Sequence, residues 1–341
     1  MAEKIKKQGR IRQHYIPQFY LRNFGNNLSC FDKKEEKKFS STPENIAVKS
    51  DFYGGEYEGL PSIEKIFSQI ESVHFSAIKR LLAVKDYYKL NHNEKISICE
   101  FFALQFLRTE SERNEIIHIF EEAINFAASN IIPKEVKVTL SEHGKIKHHL
   151  NMIKDYKLFA KLFFNMKFII QENHTAIPFW TSDNPITKQN EYDKHALGNL
   201  GIINKGIEIH LPLSPKISIW AVDPTLFVHN PTTYNIYKKQ HIIRENFLQL
   251  SFSSRFVYSN TNRFHLIKSM LKDNVHLKDE TNKKTEIITG ESDTGSIFMI
   301  TERNDRWPAT NEVMGKMETW MRPEDADKIM GINKKETKDK E

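Results

Sequence analysis

The chain has 341 residues, 39% of them hydrophobic and 28% charged, with a formal net charge of +6. That size allows a buried core in one large domain or two small ones, and 23 Phe with 11 Tyr supply large apolar areas. Two widely separated cysteines, Cys30 and Cys99, argue against a disulfide framework and a cysteine zinc site, and no run approaches the roughly 18 apolar residues of a membrane span.

Residues 1–12 carry Lys4, Lys6, Lys7, Arg10 and Arg12. They read as a basic arm, either solvated or touching phosphate. No apolar run follows this charged start, so a signal peptide is not expected and the cytoplasm is the simplest location. The positive charge permits a nucleic-acid or nucleotide partner, and equally describes a lysine-rich solvated surface; a membrane is not an expected partner.

HYIPQFYLRNF, residues 14–24, is the most unusual stretch. His14, Gln18 and Arg22 recur every four residues, so they share one face if the segment after Pro17 is helical. LSCF and KKFS flank DKKEEK and read as a hairpin, and DFYGG at 51–55 ends in a glycine turn.

Residues 61–82 show the clearest amphipathic helical period, with Pro61 and Ser62 suited to its start. Glu64 and Glu71 align on it, either as a solvated or salt-bridged pair or as carboxylates able to hold a metal or share a proton. Residues 91–128 read as a second long helix, opened by an Asn91–Glu94 capping box and apolar nearly all round from Ile96 to Leu107. Gln105, Arg108 and Glu112 leave this apolar section as a polar stripe. A buried Arg108 must find a partner, either a glutamate of the preceding helix or an anionic substrate.

Residues 129–151, including His143, His148 and His149, read as a polar surface segment. A third helix is expected over 152–168, then strands KFIIQEN and AIPFWTSDNPI. Ser182, Asp183 and Asn184 close the second strand. They read either as a functional strand end, with Asp183 as base or metal ligand and Ser182 as a nucleophile, or as an ordinary turn. Two strands surround LPLSP, where Pro212 and Pro215 point to an edge or a bend. Helices are expected over 234–250 and 262–272, with a strand SRFVYS between them. Residues 278–296 read as loop, IFMIT as a last strand, the Trp307–Trp320 region as a docking segment, and 333–341 as disordered.

HYIPQFYLRNF, DFYG, IEKIFSQIES, FFALQFLRTESER, FWTSDNP, LPLSP and SRFVYS together resemble the bacterial family of domain of unknown function 4238. The likeness runs from residue 13 to about 260 and leaves 270–341 outside. It implies that His14, Gln18, Arg22, Gln105, Arg108, Thr109, Ser182, Asp183, Asn184 and Pro185 occupy the family's motif positions.

The expected fold is α+β, with several long helices on a mostly antiparallel sheet. The expected organisation is a basic arm at 1–12, one domain over 13–270, an appendage at 271–332 and a tail at 333–341. Two functions are expected in competition. One is a hydrolase of phosphodiesters in nucleic acid or a nucleotide, serving for instance bacterial defence against phage. There His14, Asp183 or Ser182 would act chemically, Gln18, Arg22, Gln105, Arg108 and Asn184 would bind substrate, and Glu71 with Asp183 would hold Mg²⁺ or Mn²⁺. The other is a non-enzymatic anion-binding, nucleic-acid-binding or regulatory protein whose polar motif residues form a structural network.

Overall fold

Pro17 decides where the first helix begins. With φ −59° and an extended ψ of 134° it stands just outside the helix as its N-cap, and its carbonyl accepts the amides of Tyr20 and Leu21. The computed structural model describes residues 7–8, 10–57, 63–128, 136–190, 192, 200–278, 284–292 and 295–303. The tail at 333–341, the Trp307–Trp320 segment, Pro61, Ser62 and most of the basic arm lie outside the described residues.

In chain order, β1 (Lys7–Gln8) and β2 (Arg12–His14) lead into α1 (Gln18–Arg22). The expected hairpin follows as β3 (Leu28–Asp32) and β4 (Lys37–Ser41), and then β5 (Val48–Ser50) and β6 (Glu56–Tyr57) pair back on β2 and β1. Between β5 and β6 the chain turns at Gly54, whose φ of +90° suits a residue without a Cβ. Gln13 clamps this turn, donating to the Gly54 carbonyl and accepting from the Tyr53 amide.

The helices come next. α2 (Ile63–Val84) is the amphipathic helix its spacing predicts. The expected second helix is two: α3 (His92–Arg108), opened by the Asn91–Glu94 capping box, and α4 (Glu110–Ala128). Thr109 separates them with an extended ψ of 159°, and its hydroxyl accepts the Glu112 amide, capping α4. The polar segment before residue 151 is not surface throughout. Residues 142–154 form α5 (Glu142–Lys154), and its His149 is buried against the Leu107 carbonyl at 2.9 Å. α6 (Tyr156–Phe164) then packs on α3, the chain having turned at Asp155.

Two sheets complete the α+β fold. β7 (Lys167–Asn173), β8 (Thr181–Ser182), β9 (Thr187–Asn190), β10 (Ile207–Pro212), β11 (Ile217–Val222) and β12 (Thr233–Ile236) precede α7 (Lys239–Phe252), β13 (Phe256–Ser259) and α8 (His265–Asp273). One sheet has the order β12-β7-β11-β10-β9, with only β12–β7 parallel; the other is β4-β3-β13-β8 and antiparallel. β10 and β11 are inner strands, so of the expected edge or bend it is the bend that forms: Pro212 takes the last ladder position and Pro215 lies in the turn. The second expected strand shrinks to Thr181–Ser182, since the backbone before it bonds to side chains instead: Trp180 N–H to Asn246, and the Ile177 and Pro178 carbonyls to Asn173 and Asn246. The expected helix over 234–250 starts later, after β12.

One apolar cluster joins α1, α2, α3 and α6 to the five-stranded sheet, and a second joins Phe31, Trp180 and α7 to α8. The expected boundary at residue 270 falls inside α8, and Leu271 and Leu277 are buried in that second cluster. Within 278–296, read as loop, β14 (Lys284–Ser292) pairs antiparallel with β15 (Gly295–Arg303), because the β-branched Thr285, Ile287, Ile288 and Thr289 favour extended backbone despite the polar composition.

Candidate functional site

His14 ends β2, and both its peptide groups are held by charged side chains. Its N–H donates to Glu64 Oε1 at 2.9 Å, and its carbonyl accepts from Arg108 Nη2 at 2.6 Å. Arg108 is 1% exposed and donates its other terminal nitrogen to Glu71 Oε1 at 2.6 Å and Nε–H to Tyr53 at 3.3 Å. Its guanidinium also lies 4.6 Å from the Phe67 ring centre. Burial opposes the Arg108 charge, but the Tyr53 oxygen and the Glu71 carboxylate outweigh it and raise its pKa. Thus α2 supplies Glu64 and Glu71, α3 supplies Arg108, and together they fix one peptide of the N-terminal motif.

The His14 side chain opens onto a hollow of about 370 Å³, lined also by Gln18, Arg22, Glu64, Glu71, Phe19 and Phe75. Gln18 Nε2 sits 3.4 Å from His14 Nε2, and Arg22 donates to Gln18 Oε1 at 2.8 Å and to Glu44 at 2.5 Å. The four-residue spacing therefore does place His14, Gln18 and Arg22 in one line. Burial, reinforced by the positive charge of Arg108, lowers the His14 pKa below its ordinary value, so the imidazole is neutral at neutral pH.

The strand-end motif does not reach this hollow. Asp183 is 3% exposed, and its two oxygens accept the amides of Ser254, Arg255 and Phe256 at 2.8–2.9 Å. Ser182 donates to Gln249 at 2.9 Å and bonds the Asn184 carbonyl; Asn184 accepts from Thr109 at 3.0 Å and donates to Phe252. The Pro185 carbonyl accepts from Gln249. This arrangement ties β8 to α7, β13 and the α3–α4 junction. The expected pairing of Glu71 with Asp183 around a metal is accordingly not formed: Glu71 faces the hollow, and Asp183 is enclosed by backbone amides.

The two motif groups do meet, through the buried side of α1. The Tyr20 hydroxyl donates to the Pro212 carbonyl at 2.6 Å and accepts from Thr181 at 2.8 Å. Gln105, one turn before Arg108, is 1% exposed, does not line the hollow, and neither amide atom has a partner among the described residues. Tyr53 and Gln13 were not singled out by sequence reasoning. Their signal was the DFYG turn, whose aromatic residue next to a glycine marks a close backbone approach.

An α+β protein with an open polar hollow beside His14, whose peptide groups are held by Glu64 and the buried Arg108, is the class this geometry defines. The chain belongs to the family described as Protein of unknown function (DUF4238), which matches residues 12–263. No curated protein and no solved structure matches it. No helix among the described residues is long and apolar enough to cross a membrane.

Proposed function

We propose that the protein is a hydrolase of a phosphodiester in nucleic acid or a nucleotide, with His14 as the group that moves the proton. One observation carries this reading: Glu64 of α2 and the buried Arg108 of α3, itself paired with Glu71, hold the His14 peptide groups and leave its ring facing a hollow. Such positioning of a base is what proton transfer in a transition state requires. Water attacking phosphorus would give its proton to His14, and the leaving oxygen would take one from solvent. Arg22 is exposed, so a substrate phosphate can replace Glu44 as its partner at small cost.

Glu64 and Glu71 are the carboxylates a Mg²⁺ or Mn²⁺ ion would meet in the hollow. Among the described residues no three or more His, Cys, Asp or Glu side chains form a ready-made metal site. The test is cleavage of plasmid, single-stranded DNA, RNA and a chromogenic phosphodiester, with EDTA, Mg²⁺ or Mn²⁺. Wild-type turnover should fall by about 100-fold or more in His14→Ala at unchanged melting temperature. No turnover of any substrate in any condition would overturn the reading.

A second reading, a non-enzymatic anion- or nucleic-acid-binding or regulatory protein whose polar motif residues form a structural network, is favoured by a separate observation. Arg22 and Arg108 are each already paired with a carboxylate, as members of such a network are. On that reading no substrate is cut, and Arg108→Met lowers stability without changing any turnover.

A further inference from the structure

A second recess of about 280 Å³ lies between the five-stranded sheet and α7, away from the elements that build the His14 hollow. Gln171, Trp220 and Tyr234 line it from the sheet, and His241, Arg244 and Glu245 from the helix. Glu245, which lines the recess, is the near end of an organised polar chain whose other members stand behind it. Gln189 donates to Glu208 at 2.7 Å, Glu208 lies 3.6 Å from His210 Nε2, and His210 Nδ1 bonds Glu245 Oε2 at 2.8 Å. His210 and Glu245 are both buried, so the histidine keeps its neighbour ionised at a place where an isolated carboxylate would be neutral. The Gln171 side chain is 1% exposed, and its Oε1 has no partner among the described residues. Acceptors at the floor, aromatic rings on the walls and an arginine in the lining specify a flat ligand with adjacent N–H donors and a negative charge. A guanidinium ligand would satisfy the acceptors and the rings, but Arg244 repels it.

We propose that this recess binds a guanine nucleotide, with the base between the Trp220 and Tyr234 sides and its Watson–Crick edge on Glu245. Guanine N1–H and its exocyclic amino group lie side by side and match the two oxygens of one carboxylate. Adenine presents a ring lone pair at the same place, which the carboxylate repels. Gln171 Oε1 supplies a further acceptor, and Arg244 accounts for the phosphate. This site stands independently of the hydrolase reading, because none of its residues touches the His14 hollow.

The test is calorimetric titration of the full chain with GMP, GDP, GTP and AMP. At least one guanine nucleotide should bind, with AMP weaker by about tenfold or more. Tyr234 is half-exposed, so Tyr234→Ala should fold normally and weaken guanine binding about tenfold through lost stacking. Glu245→Gln should abolish the preference for guanine; Gln171→Leu serves as a second variant if that protein does not fold, and should weaken binding several-fold. His14→Ala should leave guanine affinity unchanged. No binding by any guanine nucleotide up to about 1 mM would overturn the proposal. So would equal affinity for AMP, or binding lost in His14→Ala and kept in Tyr234→Ala.

Discussion

The Arg108 guanidinium donates to the carbonyl oxygen of His14 at 2.6 Å, across a sequence separation of 94 residues. The same side chain neutralises Glu71. One residue therefore couples the end of β2 to α2 from within α3, and its removal strands two acceptors at once. Arg108→Met should destabilise the fold by about 3–5 kcal/mol, measured by urea denaturation, because Glu71 is left charged without its partner. Arg108→Lys should recover only part of this, since an ammonium cannot reach Glu71, Tyr53 and the carbonyl in one plane.

Arg22 offers the contrasting case. It lies in the same motif, but both partners of its ion pair are nearly half exposed. Arg22→Ala should change stability by no more than about 0.5 kcal/mol. Any loss of substrate turnover or oligonucleotide binding in this variant then reports on recognition, and wild-type behaviour would remove Arg22 from the site.

Asp183 should behave as a structural residue. Its carboxylate is the shared acceptor of three consecutive amides at the start of β13. Asp183→Asn should cost about 2–4 kcal/mol, because one oxygen becomes a donor facing donors. Turnover per folded molecule should be unchanged; a selective loss of turnover in a fully folded Asp183→Asn protein would return Asp183 to the chemistry.

The pH dependence has two opposite limbs. Burial pushes the His149 pKa down to about 4. The unfolded chain binds this proton near 6.5 and the folded chain does not. Stability is therefore full above pH 6.5 and falls as the pH drops toward 4, by up to roughly 3 kcal/mol. His149→Gln keeps a donor for the Leu107 carbonyl and should flatten this limb. His210 is the reverse: burial lowers its pKa, but Glu245 and Glu208 outweigh burial and raise it. Its contribution is full below pH 6.5 and is lost as the pH rises through that raised value. Denaturation midpoints measured from pH 4 to 9 in wild type and His149→Gln check both limbs.

Turnover, if His14 is the base, should show an acid limb of its own. The His14 pKa is lowered by burial, with Arg108 acting in the same direction. Activity should therefore persist below pH 6.5 and fall only as the imidazole gains its proton. A rate limb centred above 6.5 would assign the proton transfer to another group.

Local signals in the sequence carried most of the fold. The period of α2, the Asn91–Glu94 box and the hairpin around DKKEEK each depend on neighbours in the chain, and each formed. The break at Thr109 was masked by the helical period running on both sides of it, although its cap is local, the Thr109 hydroxyl accepting the Glu112 amide; Asn184, 75 residues away, accepts from the same hydroxyl. Likewise His148 and His149 are adjacent letters, and only the packing of α5 on α3 makes one of them buried. The four-residue spacing of His14, Gln18 and Arg22 read correctly as a shared line. The strand-end motif read wrongly as part of the same hollow, since Ser, Asp, Asn and Pro serve enclosed turns as well as open ones, and composition does not separate the two.

The double grip on the His14 peptide has a consequence for how this protein can vary. β2 pairs with β5 in a fixed register, and side chains along a strand alternate between faces. Inserting or deleting one residue between Gln13 and Pro17 would turn the ring away from the hollow and tear the segment from its clamps. Length in this short stretch is thus frozen, while substitutions at the rim remain open to change.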